Sequence, residues 1–187
     1  MKNLMRSLIL LLGVVFFSQC DTEDPVPEQE EELITTMSLT FSPVGGGAEV
    51  LFIIQDEDGP EGPSIPIYTT GILEAFTSYN VAIEVLNEAE TPTESITEEI
   101  EEEDAEHQFF FLISNGLNLN FAYSDVDDDG NPVGLRSVFT AGEASEGTFT
   151  VELRHEPNKD AAGVSDGLIA NAGGETDIQA AFNVVIE

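Results

Sequence analysis

The chain has 187 residues, with 37 Asp and Glu against five Lys and Arg, giving a formal net charge of −32. So acidic a surface repels phosphate backbones and anionic lipid, so no nucleic acid is expected as a partner, while cations and cationic partners are favoured. The single cysteine excludes an intrachain disulfide, and the length suits one domain with a substantial core.

Residues 1–19 read as a secretory signal peptide. Lys2 and Arg6 precede the apolar run Leu8 to Phe17, which falls short of the roughly 20 apolar residues needed to cross a bilayer. The run leads into Cys20 and resembles the lipobox of bacterial lipoproteins, with Gln19 where that pattern has a small residue. The resemblance implies cleavage before Cys20 and acylation of its thiol, with the membrane held through lipid at about 0.8 kcal/mol per buried methylene. Removing residues 1–19 from 187 leaves 168, and removing Lys2 and Arg6 from five bases leaves three against 37 acids, a net charge of −34.

Residues 20–32, the lipidated cysteine and DTEDPVPEQEEE, have almost no apolar content and two prolines, the composition of a solvated acidic tether. Acids directly after such a cysteine also resemble surface-export signals of one group of gram-negative bacteria. The expectation is an outer-membrane lipoprotein, periplasmic or surface-exposed.

Residues 33–187 form the predicted domain. Leu33 to Ser42 alternates, with Met37, Leu39 and Phe41 on one face, as a half-buried strand does. PVGGG at Pro43 to Gly47 makes a turn, and Val50 to Gln55, apolar on both faces, reads as a central strand pairing back in a hairpin. A Gly-, Pro- and acid-rich loop follows over Asp56 to Pro66. In Leu73 to Leu86 a leucine lies six residues before Tyr79, which opens an alternating strand. This resembles the tyrosine corner of immunoglobulin and fibronectin type III sandwiches, in which the phenol bonds back to upstream backbone.

Asn87 to Glu106 is acidic, with Ile96 and Ile100 four apart and Thr93, Ser95 and Thr97 as N-caps, which predicts one short helix. Further strands are expected at His107 to Ser114, Leu117 to Tyr123, Val133 to Thr140, Thr148 to His155 and Thr176 to Glu187, with turn signals between most of them. Glu156 to Glu175 is long enough to be an ordered Ω-type loop. Many short strands, tight turns and at most one short acidic helix predict an all-β fold: a single antiparallel β-sandwich of the immunoglobulin/fibronectin type III kind.

ITEEIEEEDAEHQFFF, DVDDDGNPVGL and LRHEPNKDAAGVSDGLIANAGGETDI together look like a family of short lipoproteins from gliding and marine gram-negative bacteria, commonly labelled type 1 periplasmic binding fold superfamily proteins. The resemblance implies an envelope location. The fold in that label needs two doubly wound α/β lobes with alternating strands and helices, more chain and more helix than this sequence offers.

Four constellations carry chemistry. His107 begins one strand and His155 ends another, near Glu103, Asp104, Glu106 or Glu156, and two imidazoles with one or two carboxylates make a zinc set. Asp125, Asp127, Asp129 and Gly130 follow D-x-D-x-D-G, the start of a calcium loop, although Arg136 stands where the closing glutamate would be. Arg154, His155 and Lys159 gather much of the mature chain's positive potential, to neutralise the Glu98 to Glu106 block or to receive an anionic ligand. Gly163-Val164-Ser165-Asp166-Gly167 matches the nucleophile elbow G-x-S-x-G, but both histidines precede Ser165 and no strand is expected before it, so no enzyme is predicted. The expected function is a lipid-anchored binding module capturing a ligand or divalent cation, calcium or zinc, near an outer-membrane uptake receptor. The alternative is a structural or adhesive surface lipoprotein whose acids are merely screened by ions.

Overall fold

The computed structural model describes residues 33–59 and 62–187; the signal peptide, Cys20 and the tether lie outside the described residues. Within them the chain forms an all-β sandwich of two packed sheets. One sheet takes β1 (Thr36–Pro43), β2 (Val50–Gln55), β3 (Ile67–Thr69), β5 (Ser78–Asn87), β6 (Glu94–Ser95), β8 (Leu119–Tyr123) and β9 (Arg136–Ala141). Its order is β3-β2-β1-β5-β9-β8, with β6 also pairing β5. The other sheet takes β4 (Ile72–Leu73), β7 (His107–Ile113), β10 (Ser145–His155) and β11 (Glu175–Ile186), in the order β4-β11-β10-β7. Every pairing is antiparallel except the short parallel contact of β4 with β11.

Period-two patterning builds these strands, because successive side chains leave a strand on opposite faces. In β1, Met37, Leu39 and Phe41 are fully buried; in β5, Tyr79, Val81, Ile83 and Val85 point inward while Asn80, Ala82 and Glu84 face out. β11 repeats the scheme with Ile178, Ala180, Phe182, Val184 and Ile186. Phe41, Phe52, Phe111, Phe139, Phe149 and Phe182 interlock between the sheets, Phe41 and Phe52 with ring centroids 4.7 Å apart. Such tilted and edge-on contacts add to the burial energy of the rings. The apolar run of β2 is not buried on both faces. Phe52 and Ile54 are in the core, but Leu51 is 45% exposed, because among the described residues nothing covers the outer face of this sheet there.

The tyrosine corner forms. Tyr79 is buried and its phenol oxygen accepts the Glu74 amide at 2.8 Å, while Phe76 takes the left-handed backbone (φ 57°) that turns the chain. β4 belongs to one sheet and β5 to the other, so this bond fixes the crossing between them.

One helix, α1 (Ile96–Glu102), follows β6, with Ser95 accepting the Glu98 amide at its start. Ile96 and Ile100, one turn apart, are its buried face, and the Thr97 hydroxyl pins it by accepting from Val85 N and donating to Val85 O. α1 delivers the acidic turn 103–106 directly to the start of β7. The long connector 156–175 is ordered by two 3-10 turns, Val164–Asp166 and Ile169–Asn171. It lays Val164 and Ala172 over Phe110 on the outer face of β7, so Phe109 and Phe111 fill the inter-sheet core while Phe110 is buried beneath the connector.

Candidate metal centre

His107 and His155 meet. β7 and β10 pair antiparallel with these two residues directly opposite, and their rings stack at 4.8 Å with only 8° between planes. Imidazole lone pairs lie in the ring plane, and two nearly parallel planes have no common point at bonding distance. The pair therefore does not converge on one ion. His107 is 1% exposed and engages Glu103 O through Nδ1 at 3.2 Å. Burial pushes its imidazole below the ordinary range, and His155 beside it acts the same way, against the opposite pull of Glu103 and Glu106. A neutral His107 donating from Nδ1 fits this setting.

His155 is the ring that lies beside carboxylates. Its Nε2 lies 3.9 Å from Glu106 Oε2, shielded from water and without a hydrogen-bond partner. Among the described residues, the one group of three His, Asp or Glu side chains whose ligand atoms all lie within 4.8 Å of one another is Glu106, His155 and Glu156. The backbone holds it together: the Glu156 amide donates to Glu106 O at 2.6 Å, tying the end of β10 to the turn before β7. Glu156 adopts the left-handed region, φ 49°, at a cost of roughly 1–2 kcal/mol for a residue with a Cβ. Strain of this sort gathers at functional sites. Next to it, a Cβ on Gly174 would lie 2.3 Å from His155 O, so only glycine lets the connector close against the site.

One imidazole and two carboxylates match the donor set of a borderline divalent ion such as zinc, with positions left for water or a ligand. Both glutamates are exposed and His155 is half-buried, so small rotations of the acids contract the group around an ion.

The other sequence-singled residues are occupied inside the fold. Both oxygens of Asp125 accept backbone amides, Gly134 N at 2.8 Å and Arg136 N at 2.7 Å. Asp127 Oδ1 accepts Asp129 N and Asn131 N, closing its own turn, and Asp127 Oδ2 meets Lys159 Nζ at 3.0 Å. The D-x-D-x-D-G spacing is thus satisfied here as a self-capped turn, and Asp125, Asp127 and Asp129 form no three-ligand group. Burial alone would raise the Asp127 carboxyl, but Lys159 and the two amides outweigh it and hold it below the usual carboxylate range. Lys159 also donates to Asp104 O, stapling the long connector to the acidic turn. Arg154 Nε pairs with Glu152 at 2.6 Å and its Nη1 donates to Gly174 O. The basic island is therefore neutralised internally, leaving no free ammonium for an anion at Lys159.

Sequence reasoning missed Glu152, a 4% exposed acid that also accepts from Thr176 and Gln179; its place two residues before Arg154 on one strand face was the available signal. Ser165 sits on a 3-10 turn between two left-handed glycines, ten residues beyond β10, without the strand-turn-helix of a nucleophile elbow. No family model matches this chain, and no curated protein or solved structure matches it.

Proposed function

We propose that this protein is a cell-envelope lipoprotein, anchored through Cys20, whose sandwich is a binding module that captures a zinc-like divalent cation at Glu106, His155 and Glu156. The observation that carries this reading is His155 Nε2, a shielded imidazole nitrogen with no hydrogen-bond partner, facing two carboxylates. A buried polar atom without a partner costs about 1–3 kcal/mol, which a bound cation would offset. The acidic chain supports the role by concentrating cations near the site. Among the described residues no helix is long and apolar enough to cross a membrane, so in this reading attachment rests on lipid at Cys20, beside an outer-membrane uptake receptor that takes up the captured ion.

Calorimetric titration of the purified full chain with zinc tests the site. One saturable site is expected, weakened about tenfold or more by His155→Ala, Glu106→Gln or Glu156→Gln, and unchanged by Asp129→Asn. If zinc and calcium raise the melting temperature of wild type and His155→Ala alike, the ions only screen the acids, and the structural or adhesive role stands instead.

A further inference from the structure

A cavity lies where the start of β1, the end of β2 and the residues after β5 meet. Its volume is about 650 Å³, within the range of small-molecule sites, roughly 300–1,000 Å³. Its lining combines the acids Asp56, Glu57 and Glu88 with the aliphatic side chains of Ile65 and Ile67, respectively 89% and 65% exposed. Glu88 is held in place by the Thr36 hydroxyl, and its amide by the Thr35 hydroxyl.

Asp56 marks the cavity as more than a patch of acids. It is more than nine-tenths buried, at 8% exposure, and its Oδ1 is shielded and has no hydrogen-bond partner. Its backbone is fixed by a 2.7 Å bond from Asp56 N to Thr35 O, so the carboxylate is built into the wall. Burial pushes its carboxyl up, and the Asp58 side chain acts the same way, against the opposite pull of the Asp58 amide. Both carboxylate oxygens of Asp58 accept the Ser64 amide. Among the described residues no three-ligand group includes Asp56 or Asp58. Carboxylates and aliphatic side chains lining one cavity complement a cation carried on a hydrocarbon stem, whose methylenes lie on apolar surface while the head meets carboxylate.

We propose that this cavity binds a primary ammonium group on an aliphatic chain, with Asp56 and Glu88 receiving the ammonium and Ile65 and Ile67 packing on the stem. The chemistry is shared by a free alkyl diamine and by a lysine side chain of a peptide. The site shares no residue with the His155 group, so either can fail alone.

Calorimetry of the purified full chain at about 0.15 M salt, where surface charges are screened beyond about 8 Å, should show one saturable site for 1,5-diaminopentane, for Nα-acetyl-lysine N-methylamide, or for both. The diamine alone identifies a free amine as the ligand class; the lysine amide alone identifies a peptide; either supports the proposal. Asp56→Asn should weaken binding about tenfold or more, the loss of one charge-assisted contact. Because that substitution also removes a carboxyl beside Asp58, it should melt no lower than wild type, which separates loss of binding from loss of fold. Glu88→Gln should weaken binding as well. The helix-surface control Glu98→Gln, which does not line the cavity, should leave it unchanged. No saturable heat from either amine, an equal loss in Glu98→Gln and Asp56→Asn, or displacement of the amine by calcium at matched ionic strength would overturn the proposal.

Discussion

Lys159→Met tests how the connector 156–175 is held against the sandwich. Lys159 and Asp127 have side chains only 5% and 2% exposed, 3.0 Å apart, and Lys159 also satisfies Asp104 O. Removing one member of a buried pair leaves the other charge uncompensated, at about 3–5 kcal/mol. For a domain of this size each kcal/mol moves the melting temperature by about 2–4 °C, so the substitution should lower it by about 6–20 °C. The double variant Lys159→Met/Asp127→Asn should recover roughly half of the loss, because no charge remains stranded while the Asp129 and Asn131 amides keep an acceptor. The pH dependence has a defined sign. Asp127 is held below its ordinary value of 3.8, so the pair's contribution is complete above about pH 4 and fades as pH falls through the lowered folded value. The gap between wild type and Lys159→Met, read from urea unfolding by circular dichroism, should therefore narrow well below pH 4. A loss under about 1 kcal/mol at pH 7, the scale of an exposed pair, would refute the reasoning.

Tyr79→Phe removes the acceptor for Glu74 N and should destabilise by about 1–2 kcal/mol in the same urea assay without changing the circular dichroism spectrum. Gly174→Ala places a Cβ against His155 O at a left-handed position; it should cost about 1–3 kcal/mol in thermal melts and also weaken zinc binding, since the displaced backbone carries His155 and Glu156. Phe149→Ala opens a void in the fully buried aromatic cluster and should cost about 3–5 kcal/mol.

Most of the architecture was legible because a half-buried strand writes its face into alternate residues: Met37, Leu39 and Phe41 or Tyr79, Val81, Ile83 and Val85 need no partner to be recognised. β3 and β4 were not, since strands of three and two residues carry too little periodicity and exist by pairing with β2 and β11. The burial of Leu51 was misjudged because an apolar run does not tell whether a second layer covers its outer face. At the site, the sequence shows that His107 starts a strand and that His155 ends one. It does not show register, and register makes the rings stack instead of converging. The neighbours Glu106 and Glu156 were visible as two acids among 37; only the backbone hydrogen bond from the Glu156 amide to Glu106 O singles them out. At Asp125 to Gly130 the calcium spacing is ambiguous for a related reason, since the pattern that presents oxygens to a cation presents them equally well to backbone amides and to Lys159.

The most direct test of the proposed metal site is nitrogen NMR of the two histidine side chains in the 15N-labelled full chain during zinc addition. The account predicts that His155 Nε2 shifts to a metal-bound value and saturates at one equivalent, while the His107 nitrogens keep the signature of a neutral ring protonated at Nδ1. Movement of both rings together, or no change at His155 Nε2, would contradict it.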